Sequence, residues 1–284
     1  MPEPRRRRTA FVAQVVRTER LSATMVRIVA GGPGLASFVA SESTDSYVKV
    51  VFVHPDTPRP LPLDEDGRVD LDAVRDAVAP EHAPRQRSYT VRSFDVAAQE
   101  LTLDFVVHGD EGVAGPWAAT AQAVDEIVFM GPGGGYAPDP TAARHLLAGD
   151  ASALPAIAVA LQVLSQDATG HVVVEVHDAA DEIDLPAPAG VQVSWVHAGE
   201  GRPGTRLVEA VTSLPWTGDD VHAFVHGEAA AVKELRRYLR VERGLGLDRL
   251  SISGYWRLGV DDEGWRASKR EWNAAIEQSE TAVA

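Results

Sequence analysis

Near residue 138 the chain changes its hydrophobic period, and that change limits it to two kinds of structure in series. Before it, apolar residues alternate. In LTLDFVVH, Leu101, Leu103, Phe105 and Val107 fall on one face of an extended segment, and Thr102, Asp104, Val106 and His108 on the other. TAFVAQVVRTERLSATMVRIVAGG, DSYVKVVFV and DEIVFMGPGGG supply further short strands with turn residues at their ends. Together they predict a small antiparallel β-barrel over residues 1–140, with residues 1–9 as a disordered basic leader. The Pro- and Asp-rich stretch 54–85 reads as a long surface insertion carrying one short helix.

Beyond the change, strands alternate with helices. RHLLAG leads into DASALPAIAVALQVLSQ, where Leu154, Ile157, Leu161 and Leu164 recur at helical spacing. Strands HVVVEVH, VQVSWVH and VHAFVHG follow, with helices near TRLVEAV and over EAAAVKELRRYLRVERG. This order predicts a three-layer α/β domain with a mainly parallel sheet over residues 141–254. GPGGG is followed by YAPDP, which cannot open a helix, so it reads as a tight turn rather than a dinucleotide fingerprint. Residues 255–284 form a polar C-terminal extension, expected to be helical and holding three of the six tryptophans.

Composition narrows the chemistry. The 41 Asp and Glu outnumber the 27 Lys and Arg, giving a formal charge of −14, which argues against nucleic acid or an anionic membrane as partner. With no cysteine, disulfides, thiolate zinc sites and iron–sulfur clusters are excluded, so redox chemistry would need an organic cofactor or an N/O-ligated metal. The nine histidines show no metal-ligand spacing, and no metal is expected. The N-terminal MPEPRRRRTAFVAQVV resembles a twin-arginine signal only superficially, since Gln14 and Arg17 interrupt its apolar part. No apolar run is long enough to span a bilayer, and a cytoplasmic monomer is the expectation.

RQRSYTVRSFD, residues 85–95, concentrates cations on a strand of this acidic chain. Two residues apart, Arg87 and Tyr89 share a face, so that one can meet a phosphate while the other lies against an aromatic ring. A surface arginine beside a core tyrosine is the competing reading. Arg85 and Arg92 read as solvated charges.

A barrel followed by a parallel α/β domain, with RSYT on a barrel strand, resembles the ferredoxin reductase superfamily. DFVVHGDEGVAGPWA (104–118), GDASALPAI (149–157), SGYWRLG (253–259) and GWRASKREW (264–272) resemble, in the same order, segments of the siderophore-interacting proteins, which are FAD-dependent ferric-siderophore reductases. The resemblance implies FAD held by Arg87, Ser88, Tyr89 and Thr90, by the strand Asp104, Phe105, Val106, Val107 and His108, and by backbone amides at Ala114 and Gly115. It implies NADH or NADPH as electron donor at Asp150 and Ser152, with Gly227 and Glu228 at a second strand-to-helix corner. Asp150 and Ser152 are also candidate N-caps for the helix that follows, with Pro155 in its first turn. Tyr255 and Trp256 would cover the flavin, and Lys49 and Arg257 would meet an anionic ferric siderophore. No protein side chain is needed as a catalytic acid, base or nucleophile. The chain departs from the family pattern at Gly115 (usually Ser), Ala151 and Ser152 (usually Glu and Thr) and Gly133 (usually Arg). These departures leave room for a reductase of another acceptor, or for a non-catalytic siderophore-binding protein.

Overall fold

The computed structural model describes residues 8–110, 112–216, 218 and 220–281. The chain divides into two compact units, Met1–Gly135 and Tyr136–Ala284, so the division falls five residues before the expected end of the barrel domain. The first strand, β1, already begins at Thr9, within the leader expected to be disordered; residues 1–7 lie outside the described ones.

The first unit contains β1 (Thr9–Arg20), β2 (Met25–Gly31), β3 (Tyr47–Phe52), β4 (Val69–Asp70), β5 (Arg85–Asp95), β6 (Glu100–Val106) and β7 (Glu126–Gly133), with helices α1 (Leu71–Asp76) and α2 (Ala114–Thr120). Its strands run in the order β2-β6-β5-β3-β7-β1, and pairing of β1 with β2 closes a six-stranded antiparallel barrel; β4 attaches to the start of β1. Alternation explains the filling: Leu101, Leu103 and Phe105 are all fully buried with Ile28, Val48, Val50 and Phe129. Closure removes the sheet edges that such strands would otherwise expose. Outside the barrel, Val69, Leu71 and Val74 of the insertion pack with Val51 and Val128 in a second small core. The insertion's one helix, α1, is capped by Asp70, whose carboxylate accepts from the amides of Asp72 and Ala73.

GPGGG is not a tight turn. Gly131–Gly133 continue β7, with Gly133 opposite Tyr47 across an irregularity in the register. The reason is spatial, because a Cβ on Gly133 would stand 2.6–2.9 Å from the Tyr47 ring, so the phenol fills the space of the missing side chain.

The second unit contains β8 (Arg144–Asp150), α3 (Leu154–Val163), β9 (Thr169–Val176), β10 (Gly190–His197), α4 (Thr205–Ser213), β11 (Val221–Glu228), α5 (Ala229–Arg237), β12 (Leu250–Trp256) and α6 (Asp262–Thr281). The sheet order is β10-β9-β8-β11-β12, and every pairing is parallel. Its strands read as continuous apolar runs because both faces are covered. Leu146, Ala148 and Val173 pack with Leu207 and Val211 of α4 and Leu235 of α5, while Leu147, Val172 and Val174 are fully buried on the opposite face. The C-terminal segment is less of an appendage than its polarity suggests. Tyr255 and Trp256 belong to β12, the sheet's fifth strand, and only then does the expected helix, α6, begin.

Candidate active site

On the barrel, β3 and β5 pair so that Val48 opposes Tyr89, Lys49 opposes Ser88 and Val50 opposes Arg87. Directly opposed residues share a face. Arg87 and Tyr89 therefore lie on the face of Val48 and Val50, as their two-residue spacing requires, and Lys49 and Ser88 lie on the other. Tyr89 packs on Phe105, with ring centroids 3.9 Å apart, and Trp117 stands against Phe105 and Phe52 at 5.5 and 5.8 Å. The tyrosine joins the edge of the core, and the half-buried arginine donates from Nη1 to the Gln86 carbonyl at 2.9 Å. Thr90 is buried and Ser88 exposed. Lys49 is half-buried, and among the described residues no carboxylate forms a salt bridge with it.

The strand leading from Asp104 to His108 divides by function. Asp104 is buried, and both of its oxygens accept from Arg27 at 2.7 and 2.9 Å, directly across β2 and β6. That carboxylate is committed to the barrel wall, so a ligand there meets backbone rather than the acid. Arg92 is no solvated charge. It is half-buried, and burial first, with Arg27 second, lowers its affinity for a proton while Asp104 opposes them. Arg85 is exposed as expected. β6 ends at Val106; Val107 then donates its amide to the Thr24 carbonyl at 2.7 Å, and His108 lies beyond.

Residues Ala114 and Gly115 open α2, whose N-cap, Val113, provides no side-chain cap. A Cβ on Gly115 would meet only ordinary contacts, at 3.7–3.9 Å from Val106, Val107 and His108. Glycine here is not needed for space. Replacing the usual serine removes a hydroxyl and leaves the backbone amides where a diphosphate would use them. With Arg87 on the adjoining strand, these groups fit an FAD.

On the α/β unit, the carboxyl ends of β8, β11 and β12 form a closed corner. Asp150 Oδ1 accepts from the Ser152 amide at 2.9 Å and from the Ser152 hydroxyl. Oδ2 accepts from the Glu228 amide and from Trp256 Nε1, both at 2.8 Å. Burial pushes the Asp150 carboxyl above the usual carboxylate range, and these four donors pull it back; four donors and no acceptor suit the ionised form. The close approach depends on Gly227, which has φ +144° and whose missing Cβ would lie 2.5 Å from Asp150 Oδ2.

Asp150 and Ser152 are therefore not helix caps. The N-cap of α3 is Ala153, without a side-chain bond, and Pro155 lies in the first turn as expected. Glu228 does cap a helix: its Oε2 accepts from the Ala230 and Ala231 amides that open α5, and its Oε1 from the Leu258 amide at 3.2 Å. Tyr255 sits 4.8 Å from the His226 ring, and Arg257 is exposed.

Sequence reasoning missed Glu175, which accepts from the Gly204 and Leu207 amides and closes the N-terminus of α4. It missed Arg27 as well. The signal was present in both cases: a single charge inside an apolar strand run (HVVVEVH, MVRIVA) must find a partner when buried.

Comparison with known proteins accords with this geometry. Residues 14–136 match the siderophore-interacting FAD-binding domain, and residues 142–259 match the siderophore-interacting protein domain. The ferric vibriobactin reductase ViuB of Vibrio cholerae is 32% identical over 260 residues, covering 89% of this chain and 92% of that protein. The NADPH-dependent ferric-chelate reductase of Escherichia coli is 32% identical over 246 residues, covering 85% and 91%. The crystal structure of a siderophore utilization protein from T. fusca superposes with a TM-score of 0.76 at 38% identity, covering 89% of this chain and 94% of that one. An FAD-binding barrel followed by a parallel α/β unit, matched over most of its length, places the chain in the siderophore-interacting protein family.

Proposed function

We propose that the protein is an NAD(P)H-dependent reductase that passes electrons through FAD to a ferric siderophore and releases Fe(II). Held by these residues, FAD would supply the link between a two-electron hydride donor and Fe(III), which takes one electron at a time. Ferrous ion is held poorly by hard oxygen ligands, so reduction frees it. In this reading Arg87 meets the flavin diphosphate, Tyr89 and Thr90 position the flavin, and the strand from Asp104 contributes backbone. Asp150 and Glu228, with their oxygens already engaged, shape the nucleotide corner rather than ligate the nucleotide. The two reductases of known acceptor among the relatives support the class of reaction.

Lys49 carries the choice of acceptor. It is a cation on the strand paired with RSYT, without a carboxylate partner among the described residues, in a protein of charge −14 that would otherwise repel an anionic iron complex. The test is steady-state iron reduction, trapped with a ferrous chelator, at several ionic strengths and beside a neutral acceptor. Lys49→Ala should raise the KM for an anionic ferric siderophore about fivefold, as expected for loss of roughly 1 kcal/mol, and flatten its salt dependence. The neutral acceptor should be unaffected. Equal effects on both acceptors, or none, would favour a general flavin reductase.

A further inference from the structure

The Pro- and Asp-rich insertion leaves β3 at residue 53 and returns at β5, and its two ends carry a cluster that the reductase chemistry does not use. His54, Pro55, Asp56 and Thr57 form a turn closed by the Thr57 amide on the His54 carbonyl at 2.9 Å. His82 ends a single 3-10 turn, Pro80–His82, just before β5. The two imidazoles are stacked, with centroids 3.7 Å apart and planes 4° from parallel. Both present Nδ1 to the same oxygen, Asp56 Oδ2, at 3.5 Å from His54 and 3.4 Å from His82. The Asp56 amide donates to His54 Nδ1 at 3.2 Å, a bond that an ion bound at this nitrogen would replace.

We propose that His54, Asp56 and His82 bind a divalent first-row transition-metal ion, with Zn2+ the best match. Tetrahedral zinc, with bonds of roughly 2.0–2.2 Å to nitrogen and oxygen, has ligand-to-ligand edges of about 3.4 Å, and both histidine-to-carboxylate separations are of that length. Two imidazoles and a carboxylate are a borderline N/O set suited to such ions, with water completing the shell. The adjustment needed is a tilt of the two parallel rings so that their lone pairs converge. Their side chains are 37% and 34% exposed, so neighbouring atoms leave room for it. The bound ion would clasp the two ends of the insertion, cross-linking positions that the chain alone joins through 27 intervening residues, 55–81. Sequence spacing predicts no metal because one ligand pair is local and the third residue arrives only when β3 and β5 pair.

The inference is independent of the reductase reading. Its test is calorimetric titration of untagged, chelator-stripped, full-length flavoprotein with Zn2+, together with thermal melting. The expected result is one ion per chain and a higher melting temperature with Zn2+, because the ion binds the folded state. His82→Ala and Asp56→Asn should each weaken binding at least about tenfold and abolish the melting shift, while His177→Ala leaves both unchanged. All three side chains of the cluster are at least partly exposed, so the variants should keep their flavin, and flavin content verifies their folding. Absence of binding at submillimolar Zn2+, or binding that survives both cluster variants, overturns the proposal.

Discussion

The two units treat buried charge in opposite ways. At the carboxyl ends of the parallel sheet, Asp150, Glu175 and Glu228 are all buried, and each is engaged by the protein's own donors: amides at two helix starts, a hydroxyl and an indole. On the barrel, Asp104 is similarly engaged by Arg27, but Lys49 has no carboxylate partner among the described residues, and Arg87 donates to a main-chain carbonyl. The first arrangement spends its charges on holding the corner together; the second leaves Lys49 as the cation for which we propose an anion brought from outside. Resemblance to a family assigns Asp104, Asp150, Glu228, Lys49 and Arg87 alike to binding, whereas the hydrogen bonds set the three carboxylates apart as supports.

The sharpest way to break this contrast is at Asp150. Asp150→Ala would strand four donors, carried by three residues of the corner, Ser152, Glu228 and Trp256, and should lower the stability of the α/β unit by at least about 3 kcal/mol, a melting shift on the order of 10 °C. A residue acting only as a nucleotide ligand would leave the melting temperature of the nucleotide-free protein unchanged, so an unshifted melt would return Asp150 to the list of direct contacts.

A smaller effect should follow from pH. Burial first, with Lys269 adding, pushes His226 down to about 3; its ring is stacked on Phe224, and Nε2 reaches the Ser251 hydroxyl at 3.0 Å. The folded state therefore binds fewer protons than the unfolded chain between about pH 6.5 and 3. Stability from this group is complete above the unfolded value near 6.5 and is lost as the pH falls, at roughly 1.4 kcal/mol per unit. His145 and His222, also lowered by burial, steepen the slope, while Asp150 and Glu175, raised by burial, oppose it. Denaturant titrations of the wild type and His226→Phe across pH 7 to 4.5 isolate the His226 contribution. Parallel curves would show that this histidine does not govern the acid limb.

The barrel should behave in reverse, with binding affected more than stability. Arg87→Ala should weaken FAD retention about tenfold or more, the equivalent of one charge-assisted hydrogen bond of roughly 1.5 to 3 kcal/mol. The melting temperature of the flavin-free protein should move by only a few degrees. Unchanged flavin affinity would remove Arg87 from the diphosphate, and a collapse of the apoprotein would make it another support.

How much of this was legible in the sequence depends on whether the signal is local. The period change, the alternation in LTLDFVVH and the shared face of Arg87 and Tyr89 are properties of neighbouring residues, and all recur in the structure. Polarity concealed β12, because SISGYW alternates small residues that fit a sheet edge without an apolar run. GPGGG looked like a turn because glycine signals conformational freedom, whereas here it reports a neighbour: the Tyr47 phenol occupies the space of an absent side chain. The Arg27–Asp104 pair and the commitment of Asp150 to Trp256 join residues 77 and 106 positions apart, and no local pattern encodes such partners.

The bond between Asp150 and Trp256 also sets an order of assembly. The barrel's strands are all present once residue 133 has been made, whereas the corner on Asp150 lacks its indole donor until 106 further residues have followed the aspartate. At ~5–20 residues per second, that is a delay of about 5 to 20 s. During synthesis the half that binds the flavin can take shape first, and the half read here as delivering electrons closes only as the last strand leaves the ribosome.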